Sequence, residues 1–244
     1  RRHPAGEPAV TPEQLILAAL GVPLAGALVI GVSGRFNANL REAATLLTSI
    51  ALIACVWSLL PDVQAGARPG AQLVEVLPGI DIAFRVEPLG MMFAALASGL
   101  WLVNSIYSIG YMRGNREKKQ TRFYVMFAVS LAAAMGIAFS ANLFTLFLFY
   151  EMLTLSTYPL VTHEQNAESR KSGRKYLTYI IGTSIGLALP AMLMTYLAAG
   201  TLNFTQGGIL AGKASPELLA LLLVLFLFGF AKAGLMPFHG RPCK

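Results

Sequence analysis

The chain has 244 residues, of which 55% are hydrophobic and only 13% are charged, and its formal net charge is +7. Soluble domains carry about 25% charged residues, so the composition argues against an ordinary soluble enzyme, and the apolar, aromatic-rich content excludes disorder. We therefore expect an all-α fold, a polytopic membrane helix bundle. The excess of Lys and Arg fits the cytoplasmic loops of a membrane protein, so no nucleic-acid partner is expected. The two cysteines predict neither a disulfide framework nor a metal site.

Seven apolar segments are long enough to cross a bilayer, and a helix is expected for each because lipid offers no partner to a free backbone group. Only residues 140–142 separate the fourth segment from the fifth, so these two spans should be antiparallel neighbours. Between the second and third, residues 73–77 and 80–86 flank a Pro78-Gly79 turn and predict a β-hairpin outside the membrane. The predicted spans are 15–32, 43–60, 89–110, 123–139, 143–161, 176–199 and 218–236.

Most Lys and Arg residues fall in alternate connections, which the positive-inside rule assigns to the cytoplasm. The N-terminus should then lie outside and the C-terminus inside, in a prokaryotic plasma membrane. We divide the chain into a polar N-terminal segment outside (1–14), a transmembrane bundle (15–240) and an aberrant, truncated end (241–244).

Two ionisable residues fall inside predicted spans, and each would cost about 2.5–3.5 kcal/mol if left alone at the bilayer centre. Glu151 lies near the middle of the fifth span, and Lys232 lies in the seventh. Thr154 and Tyr158 follow Glu151 at i+3 and i+7 and extend the same helix face as a candidate pathway lining. His239 follows Lys232 at the predicted membrane edge and is a candidate to continue a relay.

Two interpretations of Glu151 and Lys232 stay open at this point. A static ion pair would stabilise assembly, whereas a proton relay would use the influence of each group on the pKa of the other. A membrane-embedded hydrolase is a third hypothesis, but it needs a second acid or a Ser/His arrangement facing Glu151. His163 and Glu164, at the predicted inner end of the fifth span, are interpreted mainly as solvated loop residues. No nucleotide, cofactor or metal motif is found.

Six segments of the chain form a recognisable set. They are Glu87-Pro88-Leu89-Gly90, Tyr107-Ser108-Ile109-Gly110-Tyr111-Met112, residues 142–151, Tyr158-Pro159-Leu160-Val161, Gly173-Arg174-Lys175-Tyr176-Leu177 and residues 230–240. Together they resemble the antiporter-like proton-conducting membrane subunits. That family includes subunits of respiratory NADH–quinone oxidoreductase (complex I), of Mrp-type cation/proton antiporters and of energy-converting hydrogenases. The segments look most similar to the D-type subunit of Mrp antiporters.

The resemblance implies roles for three residues and a set of partners. Glu151 and Lys232 would form the pair at the proton-entry half-channel, and His239 would stand at the start of the next helix. The chain would carry protons, and Na⁺ is a further candidate ion. Its partners would be other membrane subunits of the same complex and the lipid bilayer. It would have no cofactor and no redox chemistry of its own, although a complex I-like host would be an oxidoreductase. A structural, non-conducting role is the alternative.

The end of the chain departs from the family pattern. The family continues after the histidine motif through about as many helices again, as an inverted repeat. Here Gly240 is followed by Arg241-Pro242-Cys243-Lys244. We therefore expect a truncated piece that carries the first part of the fold.

Overall fold

A computed structural model describes residues 10–230 of the chain. Nearly all of the regular structure is helical, with one two-stranded sheet between the second and third long helices. The elements are α1 (Pro12–Phe36), α2 (Ala38–Ser58), α3 (Leu60–Gln64), β1 (Gly70–Leu77), β2 (Ile80–Arg85), α4 (Pro88–Gly114), α5 (Gln120–Ala138), α6 (Leu143–Val161), α7 (Ala167–Thr183), a π-helical segment (Ser184–Ala188), α8 (Leu189–Ala199) and α9 (Pro216–Gly229).

Six helical stretches within residues 10–230 are long and apolar enough to cross a membrane. One of them joins α2 to α3, and another joins α7 to α8 through the π-helical segment. The described part of the seventh predicted span is α9, whose last helical residue is Gly229. The polytopic helical fold expected from composition is therefore confirmed.

The first four long helices form the main core. Helix α1 packs against both α2 and α5, and α2 packs against α4. Their buried residues form one apolar cluster, which Phe84 and Val86 at the end of the hairpin complete. Helix α6 packs along α5, as the short link predicted, and a smaller apolar cluster joins α6 to α8 and the loop that follows it.

The β-hairpin forms as predicted, and it is part of a larger hydrogen-bonded cap. Strands β1 and β2 are antiparallel, with Gly79 in the left-handed conformation that the turn requires. The α5–α6 link continues the ladder: the amide of Arg85 donates to the carbonyl of Phe139, and the amide of Ala141 donates to the carbonyl of Ala83. The amide of Phe204 then donates to the carbonyl of Ala141, so a fourth segment joins on the other side.

Several helices begin before the predicted spans, among them α2, which starts at Ala38 rather than at residue 43. Helix α1 begins at Pro12, inside the predicted polar segment, because the Thr11 side chain and Gln14 form a capping box. Helix α7 begins at Ala167 rather than at residue 176, because Asn166 caps it and Glu168 stands in its first turn. The basic residues 170–175 therefore lie on a helix rather than in a loop. Hydropathy could not find this start, since Arg and Lys lower hydropathy but are good helix formers.

Candidate functional site

Glu151 lies near the middle of α6, the ninth of its 19 residues. The helix starts where the Asn142 side chain accepts a hydrogen bond from the amide of Thr145, and a run of Phe and Leu side chains follows. The Glu151 Oε1 atom is buried and has no hydrogen-bond partner within residues 10–230. A buried, unpartnered carboxylate oxygen is costly, so it needs a partner or a proton.

The two polar residues predicted on the same face occupy different environments. Thr154 is fully buried, and its hydroxyl donates to the carbonyl of Tyr150 at 3.0 Å, one turn earlier. Tyr158 faces α7, because a Cβ atom added to Gly173 would lie 3.1 Å from the Tyr158 ring. Nearby, the hydroxyls of Thr157 and Tyr176 lie 3.2 Å apart. The face toward α7 therefore carries hydroxyl groups, but the Thr154 hydroxyl already bonds to its own helix.

The end of α9 reaches α6 beside Glu151. The rings of Tyr150 and Phe230 meet edge to face with their centroids 4.9 Å apart, and Phe230 stacks on Phe226 at 6.0 Å. On its other side α9 touches the π-helical segment so closely that a Cβ atom at Gly229 would lie 2.5 Å from the Ala188 amide nitrogen. Lys232 and His239, the other predicted relay residues, lie outside the described residues.

The π-helical segment is a feature that the sequence analysis did not predict. It spans Ser184–Ala188 within the sixth membrane span, and single π-turns inside α-helices are frequent at functional sites. Its last residue, Ala188, is the one that Gly229 contacts. The wider turn therefore lies where α9 crosses the sixth span. The residue of α9 at this crossing, Gly229, precedes Lys232 by three positions in the sequence.

A second charged cluster was missed because the sequence analysis counted its members as residues of loops and helix ends. Arg41 and Glu42 are only 6% and 7% exposed, at the start of α2. The Glu42 carboxylate accepts from the Arg113 guanidinium at 2.6 and 2.8 Å and from Arg41 at 3.2 Å. Arg41 also donates to Gln120 at 2.7 Å and lies 5.2 Å from the centre of the Tyr124 ring. These contacts tie α2, α4 and α5 together.

The start of α5 and the end of α6 are joined around His163. Arg122 donates to the carbonyl oxygens of Thr162 and His163. The imidazole packs edge-on against Phe123, and both ring nitrogens are buried without a hydrogen-bond partner in the described part of the chain. The interpretation of His163 as a solvated loop residue was therefore wrong. Between Val10 and Phe230 no group of three or more His, Cys, Asp or Glu side chains could hold a metal ion.

Two protein-family models match the chain. One, described as the transmembrane region of NADH:quinone oxidoreductase and Mrp antiporters, matches residues 140–240. The other, described as the N-terminus of chain 5 of NADH-ubiquinone oxidoreductase (complex I), matches residues 78–124. The two matches do not overlap and together include Glu151, Lys232 and His239.

Curated relatives come from several kinds of complex. The chain is 28% identical over 179 residues to hydrogenase-4 component B of Escherichia coli, covering 73% of this chain and 26% of that protein. It is 26% identical to NAD(P)H-quinone oxidoreductase subunit 5 of the Paulinella chromatophora chromatophore, over 92% of this chain and 35% of that protein. It is 28% identical to the A-type subunit of the Na⁺/H⁺ antiporter of Alkalihalophilus pseudofirmus, over 66% of this chain and 20% of that protein. The chain thus spans between a fifth and about a third of these relatives' lengths.

Solved structures share the fold. One chain of the archaeal membrane-bound sulfane sulfur reductase superposes with a TM-score of 0.77 at 20% identity, over 92% of this chain and 46% of that chain. One chain of the Mrp complex from Dietzia sp. superposes with a TM-score of 0.70 at 19% identity, over 94% of this chain and 24% of that chain. Both are multisubunit membrane complexes.

Proposed function

This chain belongs to the antiporter-like membrane subunits of NADH:quinone oxidoreductases, Mrp antiporters and related hydrogenases, and on that premise we propose that it translocates protons. It would act within a multisubunit complex and leave redox chemistry to other subunits. Na⁺ is the candidate for exchange against the proton, since one relative belongs to an Na⁺/H⁺ antiporter. Because this chain covers only part of each relative, the proposal concerns the pathway that this part would supply.

The observation that carries the proposal is the buried Oε1 atom of Glu151, which has no hydrogen-bond partner among residues 10–230. An intramembrane carboxylate is costly unless a cation approaches, which stabilises the charged form, or a proton binds, which removes the charge. A group in this situation can take up and release a proton when its neighbour moves. The buried Glu42 differs in this respect, because its carboxylate pairs with two guanidinium groups.

We propose Lys232 as the partner of Glu151. The support comes from Phe230, which precedes Lys232 by two positions and contacts the ring of Tyr150, next to Glu151. Two residues of chain reach about 7 Å at most, so α6 and the lysine region are close enough for an interaction through long side chains. A proton would pass between ammonium and carboxylate when the pair opens and closes, and the two groups would titrate together.

Thr154, Tyr158 and His239 would extend the path in this proposal. Tyr158 faces the hydroxyl-bearing contact between α6 and α7, which offers proton-conducting groups toward the inner end of α6. His239 would accept the proton beyond Lys232. We also propose that the N-terminus lies outside a prokaryotic plasma membrane and the C-terminus inside, as the distribution of basic residues predicts.

Proton transport by the assembled complex in inverted membrane vesicles tests the proposal. We expect Glu151→Gln and Lys232→Ala, each in the full-length protein, to remove most of the transport while native gels show normal assembly. Glu13→Gln and Lys213→Ala are matched controls, because both residues are exposed, and neither should change transport. Wild-type transport in both relay variants would contradict the proposal. Loss of assembled complex, with normal transport by what remains, would instead establish the structural role.

A further inference from the structure

A cavity of about 570 Å³ opens between the α4–α5 connection and the α6–α7 connection, and it is independent of the Glu151 site. We call it the connection cavity. Four cationic side chains, a histidine and two carboxylates are among the residues that line it. The lining consists of Arg116, Glu117, Lys118, Lys119, His163, Glu164, Gln165 and Arg170. With four Lys or Arg against two Glu, the lining favours an anion.

The backbone around the connection cavity is held in an uncommon conformation. Within residues 10–230 three residues other than glycine have a left-handed backbone, and all three line this cavity: Arg116, Lys119 and Gln165. Such a conformation costs free energy in a residue with a side chain, so it persists where surrounding contacts enforce it. Here the Lys119 ammonium donates to the side-chain oxygen of Gln165, which joins the two connections across the cavity.

Two features accompany the basic lining of this cavity. Helix α5 starts at Gln120 directly after Lys119, and no side chain in the described part of the chain caps its first turn. Free amides and the helix dipole at such an end attract anions. His163 also lines the cavity, and both of its ring nitrogens are buried and unpartnered within the described ranges. The cavity therefore offers guanidinium and ammonium groups together with an uncapped helix start.

The acidic residues lie toward one side of this arrangement. Glu164 accepts a hydrogen bond from the Asn166 side chain at 2.8 Å. Glu117 and Glu164 also line a neighbouring cavity, where Glu168 adds a third carboxylate. The four cations of the connection cavity do not line this neighbour, whereas Glu117, His163 and Glu164 are shared by both cavities.

We propose that the connection cavity binds a phosphate group. The group belongs either to the headgroup of an anionic phospholipid or to free phosphate. Guanidinium and ammonium groups recognise phosphate oxygens through short, charge-assisted hydrogen bonds. The cavity lies at one end of α4, α5, α6 and α7, which belong to helical stretches long and apolar enough to cross a membrane. The distribution of basic residues predicts that this end faces the cytoplasm, where anionic headgroups are abundant. A bound phosphate would bridge the two connections and fix the ends of α4, α5, α6 and α7.

Binding of defined probes to the delipidated, assembled complex tests this proposal. Phosphatidylglycerol, phosphatidylcholine and inorganic phosphate would each be titrated, with native mass spectrometry for the lipids and thermal unfolding for phosphate. We expect phosphatidylglycerol or inorganic phosphate to bind in preference to phosphatidylcholine. The double variant Arg116→Gln/Arg170→Gln should weaken that binding at least about tenfold, since it removes two charged donors.

The matched control is Lys171→Gln/Arg174→Gln, which removes the same charge from exposed residues of α7 outside the cavity lining. It should retain wild-type affinity. Saturation by phosphatidylglycerol alone would identify a lipid headgroup, and displacement of the lipid by inorganic phosphate would identify the free anion. The proposal is overturned if neither phosphatidylglycerol nor inorganic phosphate binds, or if the cavity variant binds them as well as the wild type does. It is also overturned if the control variant loses as much affinity as the cavity variant.

Discussion

Two glutamates within membrane helices show how surroundings decide what the same side chain can do. Glu42 is almost fully buried, and its carboxylate accepts hydrogen bonds from Arg41 and Arg113. Two adjacent guanidinium groups bind the Glu42 carboxylate through charge-assisted hydrogen bonds, so Glu42 suits a fixed structural contact. Glu151 has a buried Oε1 atom with no hydrogen-bond partner in the described part of the chain. The second environment lacks such fixed partners within residues 10–230.

Glu42→Gln should destabilise the protein strongly. The amide leaves the Arg41 guanidinium, which is 6% exposed, without its carboxylate partner, and breaking a buried ion pair in this way costs about 3 kcal/mol. Denaturant titration of the full-length protein in mixed micelles would measure this loss in the free energy of unfolding. Glu13→Gln, at an exposed position of α1, should change it by less than about 0.5 kcal/mol. Equal stability of the two variants would contradict a structural role for Glu42.

At the scale of elements, the cap on the predicted outer side explains much of the sequence that resembles the family. Asn142 caps α6 through its side-chain oxygen, and its amide nitrogen donates to the carbonyl oxygen of Asp81 in β2. Glu87 accepts from both Arg68 and Arg85 at 2.9 Å, which ties the start of α4 to the hairpin. These residues position the helices.

Asn142→Ala should lower stability and loosen the hairpin. The change removes a helix cap worth about 1 kcal/mol and two bonds to Asp81 from a site that is 1% exposed. Asn142→Ser retains a capping oxygen, so it should recover most of the cap while losing the hairpin bonds. Hydrogen exchange of the β2 amides would then increase in both variants, whereas the first turn of α6 would become less protected only in Asn142→Ala. Unchanged β2 exchange in both would refute the proposed link.

Two glycines of α4, Gly90 and Gly99, offer a matched pair of substitutions to alanine. A Cβ atom at Gly90 would overlap the carbonyl oxygen of Ala138 at the end of α5, which cannot move without shifting backbone. A Cβ atom at Gly99 would meet nothing within 4 Å. We expect Gly90→Ala to destabilise by about 1–3 kcal/mol and Gly99→Ala to be neutral or stabilising in the same denaturant titration. The account of the α4–α5 contact fails if the two variants are equally stable.

For the whole molecule, orientation is the property that decides which end of the path faces the proton source. Glu75→Cys in the hairpin and Lys118→Cys in the α4–α5 connection would report the two sides, because both residues are exposed. In a background with Cys55 and Cys243 replaced by Ser, a membrane-impermeant maleimide should label Cys at position 75 in intact cells. Labelling at position 118 should require permeabilised cells. The reverse pattern would invert the proposed topology.

Periodicity and hydropathy predicted the helical spans and the hairpin because their signals are local: long apolar runs, and a Pro78-Gly79 turn between two short strands. The early start of α7 escaped hydropathy because its first turns are basic. The cluster of Arg41, Glu42 and Arg113 could not be predicted, since it joins residues 71 positions apart whose proximity depends on how α2 packs on α4. The π-helical segment lies just before Pro190 and touches Gly229 of α9, a long-range contact that local sequence does not encode.

The central claim is that the Glu151 carboxylate and the Lys232 ammonium meet inside the bundle and exchange a proton. An experimental structure of the assembled complex, at a resolution that places side chains, measures their separation directly. The account predicts that the two groups lie on facing helix surfaces, shielded from acyl chains and about 4–6 Å apart or joined by water, the range over which one charge shifts the pKa of the other. Carboxylate and ammonium groups on opposite outer surfaces, each facing lipid without water nearby, would contradict it.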